Sequence, residues 1–122
     1  MAKTILVVDD SASVCQVVSI ALKGAGYEVI EGVDGKDALS KLTGQKVHLV
    51  ISDVNMPNMD GITFVKELKQ LPAYKFTPVI MLTTESQEGK KQEGQAAGAK
   101  AWVVKPFQPA QMLAAVAKLI LP

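Results

Sequence analysis

The feature that most constrains this chain is a repeated alternation. Five short apolar runs, TILVV (4–8), YEVI (27–30), VHLVIS (47–52), PVIML (78–82) and AWVV (101–104), are separated by segments of helical period. Three of the runs are continuous rather than alternating, as in strands covered on both faces. Val14, Val17, Val18, Ala21 and Leu22 share one helical face, with Gly24 as the expected stop. Ala38, Leu39 and Leu42 mark a second helix ending near Gly44. Ile62, Phe64, Val65, Leu68 and Leu71 mark a third, before Pro72. A fourth segment, 86–97, is weakened by Gly89 and Gly94, each costing about 1 kcal/mol against alanine. Met112, Leu113, Val116, Leu119 and Ile120 form a fifth, with Pro109 near its first turn. The order (βα)5 predicts an α/β fold, a doubly wound five-stranded parallel sheet with helices on both faces.

A chain of 122 residues is one domain by size, spanning 1–122. Lys and Arg (13) nearly balance Asp and Glu (12), for a net charge of +1, so no nucleic-acid or membrane partner is expected. A lone cysteine, Cys15, cannot close an internal disulfide, which fits a reducing compartment. The opening MAKTILVVDD is too short in apolar residues for a signal peptide or a membrane span. A soluble, cytoplasmic, monomeric protein is expected. The chain stops with the fifth helical segment, so no output domain is expected.

In an open parallel sheet, ligands bind outside the carboxyl ends of the strands. The first run is followed by Asp9 and Asp10, the third by Asp53, the fourth by Thr83 and Thr84, and the fifth by Lys105 and Pro106. The second ends in Glu31 and Gly32, which match no obvious chemistry. Three carboxylates, a hydroxyl and an ammonium are thus expected at one rim. Clustered carboxylates repel and raise each other's pKa, and a hard divalent cation relieves this. Mg²⁺ suits such a site because it prefers oxygen ligands and completes its shell with water and phosphate oxygens. Lys105 and Thr83 can then hold other phosphoryl oxygens. A carboxylate can serve as nucleophile and form an aspartyl phosphate. Asp53 is the best placed, at the tip of the middle strand.

Together, VVDD, SDVNMPNMDG, MLTT and AWVVKPF resemble the four signatures of response-regulator receiver domains. The likeness covers essentially the whole chain, in order and spacing, and lies nearest the stand-alone CheY-like chemotaxis regulators. It implies a flavodoxin-like sheet of strand order 2-1-3-4-5. It implies that Asp53 accepts a phosphoryl group from a CheA-like histidine kinase. Mg²⁺ would be held by Asp10, Asp53 and the backbone carbonyl of Asn55, with Asp9 acting through water. Thr83 and Lys105 would bind the phosphoryl group. Thr83 and Trp102 would form the switch, Trp102 standing where the family commonly has tyrosine or phenylalanine. Asn55 and Glu85 would tune dephosphorylation, and the Lys105–Pro106 peptide would be cis. The target would bind the face built from the fourth helical segment, the fifth strand and the fifth helical segment. Such a protein is a phosphoacceptor switch with self-phosphorylation and self-dephosphorylation only, not an enzyme in the usual sense.

Other residues read as structural. Asp60 and Gly61 look like the cap of the third helix, held with Pro57 in the loop that aims Asp53. His48 opens a strand, and without a second histidine or a cysteine cluster it makes no metal site. Cys15 lies beside the apolar stripe of the first helix. An aspartate-nucleophile phosphatase is a competing reading, but its usual second Asp is replaced by Asn55. A flavin carrier is another, but DDSAS after the first strand would repel a phosphate unless a metal intervened. Within the receiver reading, a phosphorelay intermediate and an adaptor for a non-flagellar chemosensory system stand as alternatives to chemotaxis, because Trp102 lacks a phenolic hydroxyl.

Overall fold

The computed structural model describes residues 3–42, 46–54, 56, 58–83, 93, 95–105 and 108–120. Five strands, β1 (Thr4–Val8), β2 (Glu28–Gly32), β3 (Leu49–Asp53), β4 (Val79–Thr83) and β5 (Ala101–Val104), pair in parallel in the order β2-β1-β3-β4-β5. This is the α/β fold and strand order expected. Around the sheet lie α1 (Ala12–Gly24), α2 (Gly35–Lys41), α3 (Gly61–Gln70) and a C-terminal helix (Pro109–Leu119). In the segment 86–97 only residues 93 and 95–97 are described, and they are helical. Among the described residues no helix is long and apolar enough to cross a membrane.

The continuous apolar runs have a direct structural cause. Successive side chains of a strand point to opposite faces, and here each face is a core. Ile5, Val7, Leu49, Ile51, Ile80, Leu82 and Val103 meet Cys15, Val18 and Leu22 of α1 and Met112 and Val116 of the C-terminal helix. Leu6, Val8, Val50, Val79 and Met81 meet Ala38 of α2, Leu42, and Phe64, Val65 and Leu68 of α3. Trp102 packs against this second cluster.

Three strands start and end later than the apolar runs suggest. β2 runs to Gly32, β3 begins at Leu49 rather than Val47, and β4 begins at Val79. Before β3, His48 donates its backbone N–H to the Thr4 carbonyl at 2.8 Å. Its Nδ1 accepts from the Thr4 N–H at 3.0 Å, so the lone histidine caps a strand edge. The shift makes Asp53 and Thr83 the last residues of their strands rather than the first residues beyond them. At its far end α2 stops at Lys41, and α3 at Gln70, before a 3-10 turn at Pro72–Tyr74.

The helix starts follow capping chemistry. Ser11 caps α1, accepting from the Val14 N–H, and Asp60 caps α3, accepting from the Thr63 N–H at 2.7 Å. α1 stops at Gly24, as expected, and the chain reverses two residues further on. Gly24 is the last helical residue, and Gly26 takes the left-handed turn, with φ of +96°. The Gly26 N–H bonds the Lys23 carbonyl and the Tyr27 N–H bonds the Leu22 carbonyl, the paired closure of a Schellman motif.

Alanine at these two glycines should therefore act in opposite directions. A Cβ at Gly24 meets nothing within 4 Å, so Gly24→Ala should raise stability by about 0.5 kcal/mol by restricting the unfolded chain. Gly26→Ala should lower it by about 1 kcal/mol through left-handed strain. Urea unfolding of the two variants measures both, and effects of the same sign would contradict the assignment.

Candidate functional site

The register brings the strand ends to one rim. Asp53 closes β3 opposite Leu82, and Thr83 closes β4 opposite Val104. Asp9 and Asp10 follow β1, and Lys105 follows β5. Asp9 is 1% exposed, Thr83 5% and Asp53 7%, while Asp10 is exposed. Carboxylate oxygens of Asp9, Asp10 and Asp53 all lie within 4.8 Å of one another.

Lys105 sits across this group. Its Nζ donates to Asp9 Oδ2 at 3.0 Å and to Asp53 Oδ1 at 3.1 Å. Its backbone N–H bonds the Thr83 carbonyl at 2.6 Å, which extends the sheet hydrogen bonding to the lysine itself. The Val54 N–H also donates to Asp53 Oδ1, at 2.9 Å. Among the described residues Asp53 Oδ2 accepts no hydrogen bond.

Burial and the neighbouring Asp9 push the Asp53 carboxyl above its ordinary pKa, against the opposing pull of Lys105 and the Val54 N–H. Burial alone would lower the Lys105 ammonium, but its hydrogen bonds to Asp9 and Asp53 outweigh this and raise it. Three carboxylates and one ammonium leave two negative charges uncompensated. An all-oxygen donor set with that deficit fits a hard divalent cation.

Local backbone geometry holds Asp53 in place. The Gly61 N–H bonds the Val54 carbonyl at 2.8 Å. A Cβ on Gly61 would overlap the Asp53 carbonyl, so the start of α3 packs directly on the backbone of Asp53. The Asp9 N–H bonds the Gly32 carbonyl at 3.1 Å, and Asp9 Oδ1 accepts from the Ser11 N–H at 2.9 Å. Cys15 is buried with its thiol on the Asp9 carbonyl at 3.3 Å. Burial, then the charge of Asp9, pushes this thiol up to about 11, so it is inert packing beneath the site.

Of the residues singled out in the sequence, the structure brings Asp9, Asp10, Asp53 and Lys105 together and sets Thr83 at the adjacent strand end. Trp102 lies one strand residue before Val103 with its ring turned to the α3 side, and its indole N–H is buried without a partner among the described residues. Asn55, Glu85, Pro57 and Pro106 lie outside the described residues, and with them the Lys105–Pro106 peptide. Sequence reading missed Asp34 and Asn58. Asp34 caps α2, accepting from the Asp37 N–H at 2.8 Å, and Asn58 Nδ2 donates to its other oxygen at 2.8 Å. The DGKD spacing was a legible capping signal, whereas nothing local marks the Asn58 contact.

Residues 5–117 match the family described as response regulator receiver domain. The chain is 38% identical over 121 residues to the chemotaxis protein CheY of Bacillus subtilis, covering 98% of this chain and 99% of that protein. It is equally 38% identical, over 120 residues, to the alkaline phosphatase synthesis transcriptional regulatory protein PhoP of the same organism, covering 98% of this chain and 49% of PhoP. The structure of Vibrio cholerae chemotaxis protein CheY4 superposes with a TM-score of 0.93 at 48% identity, covering 98% of this chain and 99% of that one. The chain therefore belongs to the response-regulator receiver domains, the phosphoacceptor modules of two-component signalling. Its likeness extends to CheY-type receivers in both sequence and backbone, and it spans about half the length of PhoP.

The raised Asp53 pKa carries a sign for stability. A carboxyl whose folded pKa is raised adds no penalty below its unfolded pKa and its full penalty above its folded pKa. In metal-free buffer at pH 7, Asp53→Asn should therefore unfold at higher urea than wild type, with the gap closing as pH falls through the carboxylate range. A lower midpoint for the variant at pH 7 would contradict this account.

Proposed function

We propose that Asp53 is the phosphoacceptor of a chemotaxis-type receiver. The observation that carries the reading is the shared ammonium of Lys105, which binds Asp9 Oδ2 and Asp53 Oδ1, while Asp53 Oδ2 accepts no bond from the described residues. That oxygen attacks the phosphorus of a phosphohistidine on a CheA-like kinase. A P–O bond forms, the P–N bond breaks, and the imidazole nitrogen keeps the electron pair. Lys105 can leave an Asp53 oxygen for a phosphoryl oxygen without leaving the pocket, and the Thr83 hydroxyl can donate to another.

Asp10, Asp53 and the Asn55 backbone carbonyl would hold Mg²⁺, with Asp9 acting through water. When bound, the ion supplies charge neutralisation for the incoming phosphoryl oxygens. Self-dephosphorylation is tuned in this reading by Asn55 and Glu85. The protein works in the cytoplasm as a monomeric switch, and its target docks on the face of the fourth helical segment, β5 and the C-terminal helix. A phosphorelay intermediate or a non-flagellar chemosensory adaptor is a second reading, favoured by one observation. Trp102 stands at the switch position without a phenolic hydroxyl to offer a target.

Incubation with acetyl phosphate and Mg²⁺ should label Asp53, and Asp53→Asn or excess EDTA should abolish the label. Equal labelling of the variant, or labelling in EDTA, would defeat the assignment.

The switch has its own test. A phosphoryl group that draws Thr83 inward changes the space available to the aromatic ring, biasing a two-state element. Trp102 is the sole tryptophan, so its fluorescence reports the change directly. Beryllofluoride with Mg²⁺ should shift the emission of wild type and much less that of Thr83→Ala. Identical responses would break the threonine coupling, and no response in either would place the output elsewhere.

A further inference from the structure

The loop that follows Asp53, residues 54–60, is closed at its base by the Gly61 N–H on the Val54 carbonyl. Among its described residues, two are tied to the N-terminus of α2. Asn58 Nδ2 donates to Asp34 Oδ2 at 2.8 Å. A Cβ on Gly35 would come within 2.8 Å of the Met59 side chain, so the loop also packs on the first residue of α2. Asn58 reaches its contact from a left-handed backbone, with φ of 67°. Asparagine tolerates that conformation better than most residues.

The anchor on the α2 side is itself braced. Asp37 accepts from the Val33 N–H at 2.9 Å and pairs with Lys41 at 3.1 Å. Lys41 donates to the Glu31 carbonyl at 2.7 Å, fastening α2 to the end of β2. The same strand end accepts the Asp9 N–H through Gly32. The contacts therefore form a ring around the rim. Asp9 is joined to Gly32, the chain runs on to Asp34, Asp34 holds Asn58, and the loop leads back to Asp53. Asp34 is 7% exposed, and its carboxyl is held below the ordinary range first by the Asp37 N–H and then by Asn58.

We propose that Asn58 and Asp34 form a positioning pair, which closes this ring and sets the loop geometry that cation binding and phosphoryl acceptance at Asp53 require. The proposal rests on the reading of Asp53 given above. Neither residue touches the reacting atoms. Partners in an outer shell of this kind typically change metal affinity or activity by about 10–100-fold when removed.

Exchange of the two groups separates positioning from bulk stability. Asn58→Asp keeps the shape and tolerates the left-handed backbone, but sets carboxylate against carboxylate. It should weaken Mg²⁺ binding in calorimetry and slow acetyl phosphate labelling of Asp53, each by about tenfold. The double variant Asp34→Asn/Asn58→Asp reverses the donor and acceptor, keeps the net charge and retains a good N-cap on α2. It should restore both measurements to within about twofold of wild type, on a scale where outer-shell loss costs about tenfold or more. Asn58→Gly, which keeps the left-handed backbone and deletes the side chain, should resemble Asn58→Asp, with urea unfolding recorded for all three. Wild-type behaviour of both single variants overturns the proposal, as does a folded double variant that fails to recover. Absence of labelling in wild type overturns the reading of Asp53, and the proposal with it, whereas normal wild-type labelling with unaffected variants overturns the proposal alone.

Discussion

The Lys105 ammonium is the interaction on which the rest of the site depends. It is fixed from two directions, its backbone bonded to Thr83 and its side chain to Asp9 and Asp53. Two carboxylates of one sign could not be packed this deeply side by side without a cation between them. The lysine supplies one that belongs to the fold, so the chain's own residues assemble the pocket. It still leaves the pocket short of positive charge, and burial, then the charge of Asp9, holds the Asp53 carboxyl above its ordinary range. A fold that fully neutralised its acids would have no electrostatic reason to take up a cation.

Parallel pairing explains why so few residues suffice. Every strand points its carboxyl end at the same rim, so the polar residues at the ends of β1, β3, β4 and β5 build a cluster. The helices are then positioned by caps that begin at the same rim. Ser11, Asp34 and Asp60 start α1, α2 and α3 there. Each cap orders backbone that either carries or adjoins a site residue, so local helix initiation and site geometry are one task.

Much of this was legible in the sequence. The five apolar runs gave strand order of appearance, and the residues after them gave Asp9, Asp10, Asp53, Thr83 and Lys105. Apolarity could not place the boundaries, because Val47 is buried without being in a strand and Asp53 is in a strand without being apolar. Hydrogen bonding set those limits, notably at His48. Gly24 was legible as the end of α1, whereas only backbone geometry assigns the left-handed turn to Gly26. The bond between Asn58 and Asp34 spans 24 residues, and no local pattern encodes a contact at that separation.

The two-sided core has a consequence for how the strands find their alignment. In a sheet with one wet face, a one-residue slip drives apolar side chains into water, and that penalty fixes the pairing. Ile5 and Val7 feed one core and Leu6 and Val8 the other. A slip of β1 would trade one set of aliphatic side chains for another and expose little. Hydrophobicity alone therefore distinguishes poorly between neighbouring alignments of the central strand. What does distinguish them is polar. His48 engages Thr4 at one end, and Asp9, whose charge is costly inside the sheet, meets Gly32 and Lys105 at the other. The acidic residue at the rim thus acts as an end-stop for the strand it follows, and the arrangement that assembles the pocket also tells the sheet where to stop sliding.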